Sequence, residues 1–380
     1  METPAPVDEP VALETAGLLW AVARPEPDVR TIHAAVEAGA DLDRVAAVAL
    51  ASRVGPLCWR ALGLAGVRDR LGPIAGPLMR DAELRRVHAQ LLLPMALQKI
   101  VQPLGDAGLE PLLFKGPAMA EHYPEPGLRP MDDIDVVLPK RQHGAGLAAL
   151  ERAGWQAIVN RPGDHYDTFL YHPEVPDLPL ELHWDIASWH ERATSVSAED
   201  LWRCRRPMTM LGVDCLGLPP EENLVALANH AGKPFHHFGR LIWSVDIAVV
   251  IVSTGGQLDW DKVASVARRW DCSTVLAVAL LHARRLGADV PEPLVRLRTG
   301  RTRTAAIRPV LAEAWPFVMP NDSTTYRLRY AFSDSKARRA ALLLGEITLG
   351  AHAREVPGRL FGVTKRLAKR WRADRSGDVS

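Results

Sequence analysis

The stretch "MDDIDVVLPK" (131–140) decides how the middle of this chain is interpreted. Its apolar run predicts a strand, and Asp133 and Asp135 stand two residues apart at its start. Strand side chains alternate between faces, so these two carboxylates share one face. Buried carboxylates repel one another, whereas Mg²⁺ prefers such hard oxygen ligands. The pair is a candidate metal site; solvated acids at the entrance of a strand are the alternative.

A second strand supplies further acidic groups. In "LPLELHWDI" (178–186) the apolar residues alternate with Glu181, His183 and Asp185, so one face is apolar and the other polar. If this strand pairs beside the first, Glu181 adds a third carboxylate. His183 is then a candidate partner that supports the metal ligands from behind. Taken alone, both residues would be surface groups of an amphipathic strand.

A phosphate-binding turn is predicted upstream of the acids. "LLFKGPAM" (112–119) indicates a strand, then Lys115 and Gly116, then a helix whose first residue is a proline. A glycine before a helix N-terminus favours phosphate through free backbone N–H groups, and Lys115 adds a positive charge. We therefore predict that Lys115 and Gly116 contact phosphate, although a strand–Gly–helix turn is common by itself.

The order of predicted elements indicates an α+β protein: a small mixed β-sheet core flanked by helical regions. Strands and helices alternate only in the middle of the chain, and amphipathic helical patterns occupy both sides. The predicted organisation is a disordered segment 1–10, a helical region 11–108, the sheet core 109–195, a helical region 196–350 and a basic tail 351–380.

Composition narrows the functional class. The chain has 380 residues, 47% hydrophobic and 24% charged, and its net charge of +1 argues against a dominant nucleic-acid or membrane partner. Its N-terminus has no secretory signal pattern. The four cysteines form no C-x-x-C pair, so we expect a reduced, cytoplasmic protein. The basic tail is interpreted as a solvated helix face; binding of nucleic acid or anionic lipid through it is the alternative.

Several short motifs resemble a bacterial family labelled uncharacterised nucleotidyltransferase, within the polymerase-beta-like superfamily. The resemblance covers roughly residues 15–270 and is most specific over 112–138. The broader superfamily has Gly-Ser at the phosphate turn, whereas this chain has Lys-Gly-Pro and no hydroxyl. The matching motifs are Lys115-Gly116, Tyr123-Pro124, Arg129-Pro130-Met131, Asp133-Ile134-Asp135 and Glu181-Leu182-His183-Trp184.

The resemblance implies a metal-dependent transfer of a nucleoside monophosphate, expected to be AMP, from a nucleoside triphosphate to an acceptor hydroxyl with release of pyrophosphate. Asp133 and Asp135 would hold Mg²⁺ or Mn²⁺ on the triphosphate. Glu181 would hold the ion nearer the acceptor and help to deprotonate its hydroxyl. The expected acceptor is a small molecule. Nucleotidylation of a protein or a tRNA end, and a non-catalytic nucleotide-binding protein, are the alternatives.

Two cations are candidates for contacts with the triphosphate. Arg129 precedes the acids and would either touch a phosphate or neutralise Asp132, which we interpret as a capping or arginine-paired residue. Lys233 lies four residues after Asn229 on the same helix face, and a cation from that helix would balance the charge of the triphosphate.

Four other residues receive mainly structural interpretations. Asp246, within an apolar run, is expected to pair with an arginine or cap a helix. His236 and His237 follow an expected helix break and could line the cleft, although packed histidines are the commoner case. Trp243 is interpreted as a core residue rather than a base-stacking surface.

Overall fold

The computed structural model describes residues 12–125, 127–159, 166–187, 193–233, 236–312, 315 and 322–340. The predicted disordered segment 1–10 and basic tail 351–380 lie outside these ranges. The chain divides into a unit that ends at Asp334 and a second unit, Ser335–Ser380. All elements named below belong to the first unit.

Helices dominate both ends of the described chain and a sheet occupies its middle. The α-helices are α1 Leu13–Val22, α2 Val29–Glu37, α3 Leu42–Ala51, α4 Gly55–Leu64, α5 Ala75–Asp106, α6 Lys140–Arg152, α7 Ala198–Arg203, α8 Pro220–Ala231, α9 Leu241–Ser253, α10 Trp260–Arg269, α11 Ser273–Arg285, α12 Glu292–Val295, α13 Arg301–Ile307 and α14 Asp322–Phe332. The strands are β1 Leu112–Phe114, β2 Ile134–Val137, β3 Gln156–Val159, β4 Asp167–Tyr171, β5 Leu180–His183, β6 Arg206–Met210 and β7 Val213–Gly217. Three 3₁₀ helices span Arg68–Arg70, Pro117–His122 and Arg308–Leu311.

The strands form one mixed sheet in the order β3-β4-β5-β2-β1-β7-β6. β2 runs parallel to β5, and β1 runs parallel to β7, while the other neighbours are antiparallel. The predicted α+β class, a small mixed sheet flanked by helices, is confirmed. Because β2 and β5 are direct neighbours at the centre of the sheet, the two predicted acidic strands lie side by side.

Side-chain alternation separates two cores on opposite faces of this sheet. Ile134 and Val136 of β2 and Leu180 and Leu182 of β5 belong to one core, which also contains the second half of α5. Val137 of β2 belongs to the other core, with α8 and α9. Successive strand residues face opposite ways, so the polar residues of β2 and β5 face the side of α8 and α9.

The prediction of an entirely helical chain from residue 196 is wrong for one hairpin. β6 and β7 extend the sheet, and β7 pairs with β1 through Leu112 and Leu216. The hairpin turns at Leu211 and Gly212, both with positive φ, the left-handed conformation used in tight turns. The remaining domain boundaries stay a prediction.

The two helices that face the polar side of the sheet follow from local sequence signals. α8 begins at Pro220, and Glu221 and Glu222 lie in its first turn, where carboxylates favour the helix dipole. α9 is almost entirely buried and mostly apolar. The acid Asp246 in its middle is buried as well. None of the helices in the described ranges combines the length and apolar content needed to cross a membrane.

Candidate active site

Strand register brings the predicted acids together. Asp135 of β2 lies opposite Glu181 of β5 in the parallel pair, and opposite Phe114 of β1 in the antiparallel pair. The side chain of Asp135 is buried, whereas Glu181 is partly exposed. These two carboxylates therefore lie next to each other, as predicted, because β2 pairs with β5.

His183 contacts both of these carboxylates. Its Nε2 lies 2.8 Å from Oδ1 of Asp135 and 3.3 Å from Oε2 of Glu181. These three side chains offer ligand atoms that all lie within 4.8 Å of one another, a group able to hold a metal ion. The sequence suggested that His183 supports the metal ligands from behind. In the structure, His183 lies close enough to Asp135 and Glu181 to share a metal ion with them.

Lys115 completes the pairing of Asp135. Its φ of 53° is unusual for a non-glycine residue, and its Nζ donates a hydrogen bond to Oδ1 of Asp135. Lys115 directly follows Phe114, the residue opposite Asp135 in the antiparallel pair, so the strand pairing puts the two side chains in reach. The left-handed conformation is the kind of local strain often found at functional sites.

Burial and charge set the protonation states here. Burial alone would lower the pKa of Lys115, but the nearby carboxylates outweigh it and raise that pKa. The same competition raises the pKa of His183 to about 9, because hydrogen bonds to Asp135 and Glu181 outweigh burial. For Asp135, burial is outweighed by Lys115 and His183, and its pKa is lowered. Two cations thus stabilise the ionised form of Asp135.

Asp133 lies just before β2. It is the one acid of the three whose burial is not outweighed by neighbouring positive groups. Burial, followed by the charges of Asp135 and Glu181, raises the pKa of Asp133 to about 7. Asp133 is not part of the group within 4.8 Å that contains His183. We call Asp133, Asp135 and Glu181 the acidic cluster: three interacting carboxylates whose charges oppose one another.

The turn after β1 differs in one respect from the prediction. Gly116 precedes a six-residue 3₁₀ helix, Pro117–His122, rather than an α-helix. Pro117 has no N–H, and the N–H of Met119 bonds to the carbonyl of Gly116 at 3.1 Å. The turn therefore offers fewer backbone donors for a phosphate than predicted, which leaves more of that role to side chains.

Arg129 lies against this turn, and its partner is Asp246. Nε and Nη2 of Arg129 donate to the Asp246 carboxylate at 2.8 and 2.9 Å, and Tyr123 Oη donates to the same carboxylate at 2.7 Å. A Cβ on Gly116 would lie 3.3 Å from Nη1 of Arg129. The third arm of the guanidinium thus faces the turn, while the other two are held by Asp246.

The suggestion that Arg129 neutralises Asp132 is wrong. Asp132 pairs with Arg53 at the surface, and Arg129 pairs with Asp246. The interpretations of Asp132 as arginine-paired and of Asp246 as the partner of an arginine are confirmed. Each pair joins residues that are far apart in the chain, so sequence spacing could not identify the partners.

Lys233 lies at the end of α8, close to the site. Its Nζ donates to the carbonyl of Ile186, and it lies 5.2 Å from the ring centre of Tyr166. The ring of Tyr166 in turn stacks on His183 at 5.9 Å, with a 17° angle between the planes. Sequence reasoning missed Tyr166, because a tyrosine next to a strand carries no specific signal.

The chain matches the family model described as uncharacterised nucleotidyltransferase over residues 38–288. The protein belongs to this family. It is therefore a nucleotidyltransferase, as the motifs around Lys115 and Asp133 predicted. Comparison with curated proteins and with solved structures gives no match.

The acidic cluster of this nucleotidyltransferase fits a divalent metal ion. Carboxylate oxygens are the ligands that Mg²⁺ and Mn²⁺ prefer. A bound cation would also relieve the repulsion that raises the pKa of Asp133. His183 lies in the same 4.8 Å group and contacts both carboxylates, so it can orient these ligands or offer a nitrogen ligand of its own.

Proposed function

We propose that this nucleotidyltransferase transfers AMP from ATP to a hydroxyl of a small-molecule acceptor and releases pyrophosphate. The observation that carries the proposal is the pairing of Asp135 and Glu181 on adjacent central strands, with Lys115 and His183 in contact with Asp135. A buried set of carboxylates next to fixed cations suits a reaction whose catalysis is mostly positioning and charge neutralisation.

The acidic cluster would hold Mg²⁺ or Mn²⁺, which when bound neutralises the triphosphate and makes its α-phosphorus more electrophilic. The acceptor oxygen forms a bond to the α-phosphorus, and the bond from that phosphorus to the bridging oxygen breaks. The electron pair of the broken bond leaves with pyrophosphate. Glu181 is partly exposed and accepts the proton that the acceptor hydroxyl loses.

Three cations bind the triphosphate in this proposal. Nη1 of Arg129 faces the Gly116 turn, and Lys115 lies between that turn and Asp135. Lys233 contributes charge from the end of α8. Because Pro117 and Met119 remove backbone donors from the turn, these side chains take over part of the role that a Gly-Ser turn has in the broader superfamily.

The test is incubation with ATP labelled at the α-phosphate, Mg²⁺ and three separate pools: small metabolites, proteins and tRNA. We expect label in the small-metabolite pool together with pyrophosphate, and no label with Asp135→Asn. Asp132→Asn removes the neighbouring acid that pairs with Arg53 and serves as the matched control. Label in protein or tRNA would mean that the acceptor is that macromolecule and not a small molecule. Binding of ATP without pyrophosphate in any pool would indicate a non-catalytic protein.

We also propose a cytoplasmic location, as the cysteine pattern predicted. All four cysteines are free thiols, and Cys58, Cys215 and Cys272 are buried. Buried reduced thiols are typical of a reducing compartment.

A further inference from the structure

Three aromatic rings contact one another near the junction of α8 and α9. The ring centres of His236 and Trp243 lie 4.5 Å apart, with a 24° angle between their planes. His230 meets both rings edge-on, at 4.7 and 5.7 Å. All three residues are partly exposed. We call His230, His236 and Trp243 the ring cluster.

Burial keeps the two imidazoles neutral. Nδ1 of His236 lies 3.0 Å from the carbonyl oxygen of His230, and since a carbonyl only accepts, Nδ1 is the donor. Burial lowers the pKa of His236 to about 3 and that of His230 well below its usual range. Nδ1 of His230 is buried and has no hydrogen-bond partner among the described residues. The cluster is thus uncharged, and one of its ring nitrogens lacks a hydrogen-bond partner among the described residues.

The ring cluster lies beside Lys233, one of the cations proposed for the triphosphate. The N–H of Lys233 donates to the carbonyl of His230 at 3.3 Å, and the N–H of His236 donates to the carbonyl of Lys233 at 3.0 Å. After burial, the charges of Lys115, Lys233 and Arg129 also lower the pKa of His230. An uncharged aromatic surface therefore adjoins one cation of the site.

The turn that carries His236 is held in a strained conformation. The next two residues, His237 and Phe238, have φ of 42° and 59°, in the left-handed region that non-glycine residues rarely adopt. Phe238 is fully buried, packs edge-on against His282 at 5.1 Å, and its carbonyl accepts a 2.9 Å bond from Nε1 of Trp315. The core thus fixes the position of His236, as expected where strain serves a binding site.

Trp243 was interpreted from the sequence as a core residue. It does pack against the core, yet its ring stays partly exposed and its other neighbour is Arg240, whose guanidinium lies 5.7 Å from the ring centre. Arg240 is exposed. Because Trp243 keeps some exposed surface, it can still contact a second flat group.

We propose that the ring cluster is the subsite for the nucleobase of the triphosphate substrate. A nucleobase is flat and is tethered to phosphates, which matches neutral rings beside Lys233, a cation proposed for the triphosphate. Base–aromatic stacking works with every base, so the subsite provides affinity with little preference among bases. This inference rests on the proposed function, because it assumes that the neighbouring cations bind the triphosphate.

The experiment compares ATP with inorganic tripolyphosphate, which lacks base and sugar, in calorimetry with Mg²⁺. For His236→Ala we expect ATP to bind about tenfold more weakly, which is the loss in affinity expected when one base–aromatic stacking contact is removed. Tripolyphosphate should bind as it does to the wild type, which also shows that the variant is folded. Trp243→Phe keeps an aromatic ring and should retain most of the affinity for ATP.

Trp59→Leu is the matched control. Trp59 is also partly exposed with an arginine over its ring, Arg68 at 4.3 Å, but it belongs to α4. Loss of the Trp59 ring should leave the affinities for ATP and for tripolyphosphate unchanged. The inference is overturned if His236→Ala weakens neither ligand or weakens both equally. If the wild type binds neither ATP nor tripolyphosphate, the proposed function fails and the subsite with it.

Discussion

Arg129 and Asp246 form a buried ion pair that joins the segment before β2 to α9, although 117 residues separate them. Both carboxylate oxygens and two of the three guanidinium nitrogens take part, and the exposed fractions of the two side chains are 12% and 2%. The hydroxyl of Tyr123 adds a third donor. This pair leaves the remaining nitrogen of Arg129 facing Gly116, so α9 holds the side chain that lies against the turn after β1.

Removal of one member of this pair should destabilise the protein strongly. Asp246→Asn leaves the Arg129 charge buried without a counter-ion, and we expect the free energy of unfolding to fall by about 3 kcal/mol. Urea unfolding measures it. Glu125→Gln breaks the more exposed pair with Arg60 at 2.6 Å and should cost less than about 1 kcal/mol. Equal losses in the two variants would mean that the Arg129–Asp246 pair has no special role.

A methyl group at Gly116 should impair nucleotide binding more than folding. The added Cβ would lie 3.3 Å from Nη1 of Arg129 and 3.4 Å from the carbonyl oxygen of Asp133, so these groups must shift. We expect the KM for the nucleoside triphosphate to rise on the order of tenfold, because small displacements at a reacting site are costly.

Gly144→Ala is the control for Gly116→Ala. Gly144 lies in α6, and a Cβ there would meet no atom within 4 Å. Alanine should leave KM unchanged and stabilise the helix by about 0.5–1 kcal/mol. If both variants leave KM unchanged, the turn does not touch the nucleotide.

Loss of either central carboxylate should abolish catalysis in a folded protein. Asp135→Asn and Glu181→Gln keep the shape of each side chain but remove charge from the acidic cluster. We expect the rate of pyrophosphate release to fall at least about a hundredfold. Circular dichroism checks the fold of each variant. Activity within a few-fold of wild type in Glu181→Gln would remove this residue from the mechanism.

Divalent metal ions should stabilise the wild type through the acidic cluster. Mn²⁺ or Mg²⁺ added to metal-free protein should raise Tm by several degrees, because an ion that binds only the folded state stabilises it. Chelation should reverse the shift. The shift should be absent in Glu181→Gln and present in Asp132→Asn, whose carboxylate pairs with Arg53 at the surface. A shift that persists in Glu181→Gln would place the ion elsewhere.

Stability should decrease from neutral toward acid pH because of His282. This buried ring accepts at Nδ1 from Ser244 Oγ and donates from Nε2 to the carbonyl of Val310, both at 2.9 Å. Burial lowers its pKa to about 4, whereas the unfolded chain takes up the proton below about pH 6.5. The unfolded state then binds more protons, and His282 contributes a loss on the order of 2 kcal/mol between pH 7 and pH 5.

Urea unfolding at several pH values measures this slope. His282→Gln should make the slope shallower between pH 7 and pH 5, while the buried rings of His230, His236 and His237 still contribute to it. His33→Gln, at an exposed position on α2, should leave the slope unchanged. An unchanged slope in His282→Gln would assign the pH dependence to other groups.

Local sequence patterns predicted the parts of this protein that depend on neighbours along the chain. Alternation in residues 133–139 and 178–186 identified β2 and β5 and separated Asp132 from the acids of the site. Proline and glycine signals placed the start of α8 and the turn after β1. The family motifs around Lys115 and Asp133 added the class of reaction, which the match over residues 38–288 supports.

Patterns along the chain could not show which strands pair or which distant charges meet. A hairpin such as β6–β7 is short and mostly exposed on one strand, so its sequence resembles a loop between helices. The partner of Arg129 depends on where α9 packs. The same holds for the ring cluster, since the position of His236 is set by a strained turn anchored through Phe238.

The sequence by itself therefore determined the strand faces, the acids and the class of enzyme, because period-two alternation and short motifs are properties of contiguous residues. The tertiary structure alone decided that His183 reaches the acids, that Asp246 holds Arg129, and that His230 meets the ring of Trp243. Those contacts depend on sheet register and helix packing, which bring together residues far apart in the chain.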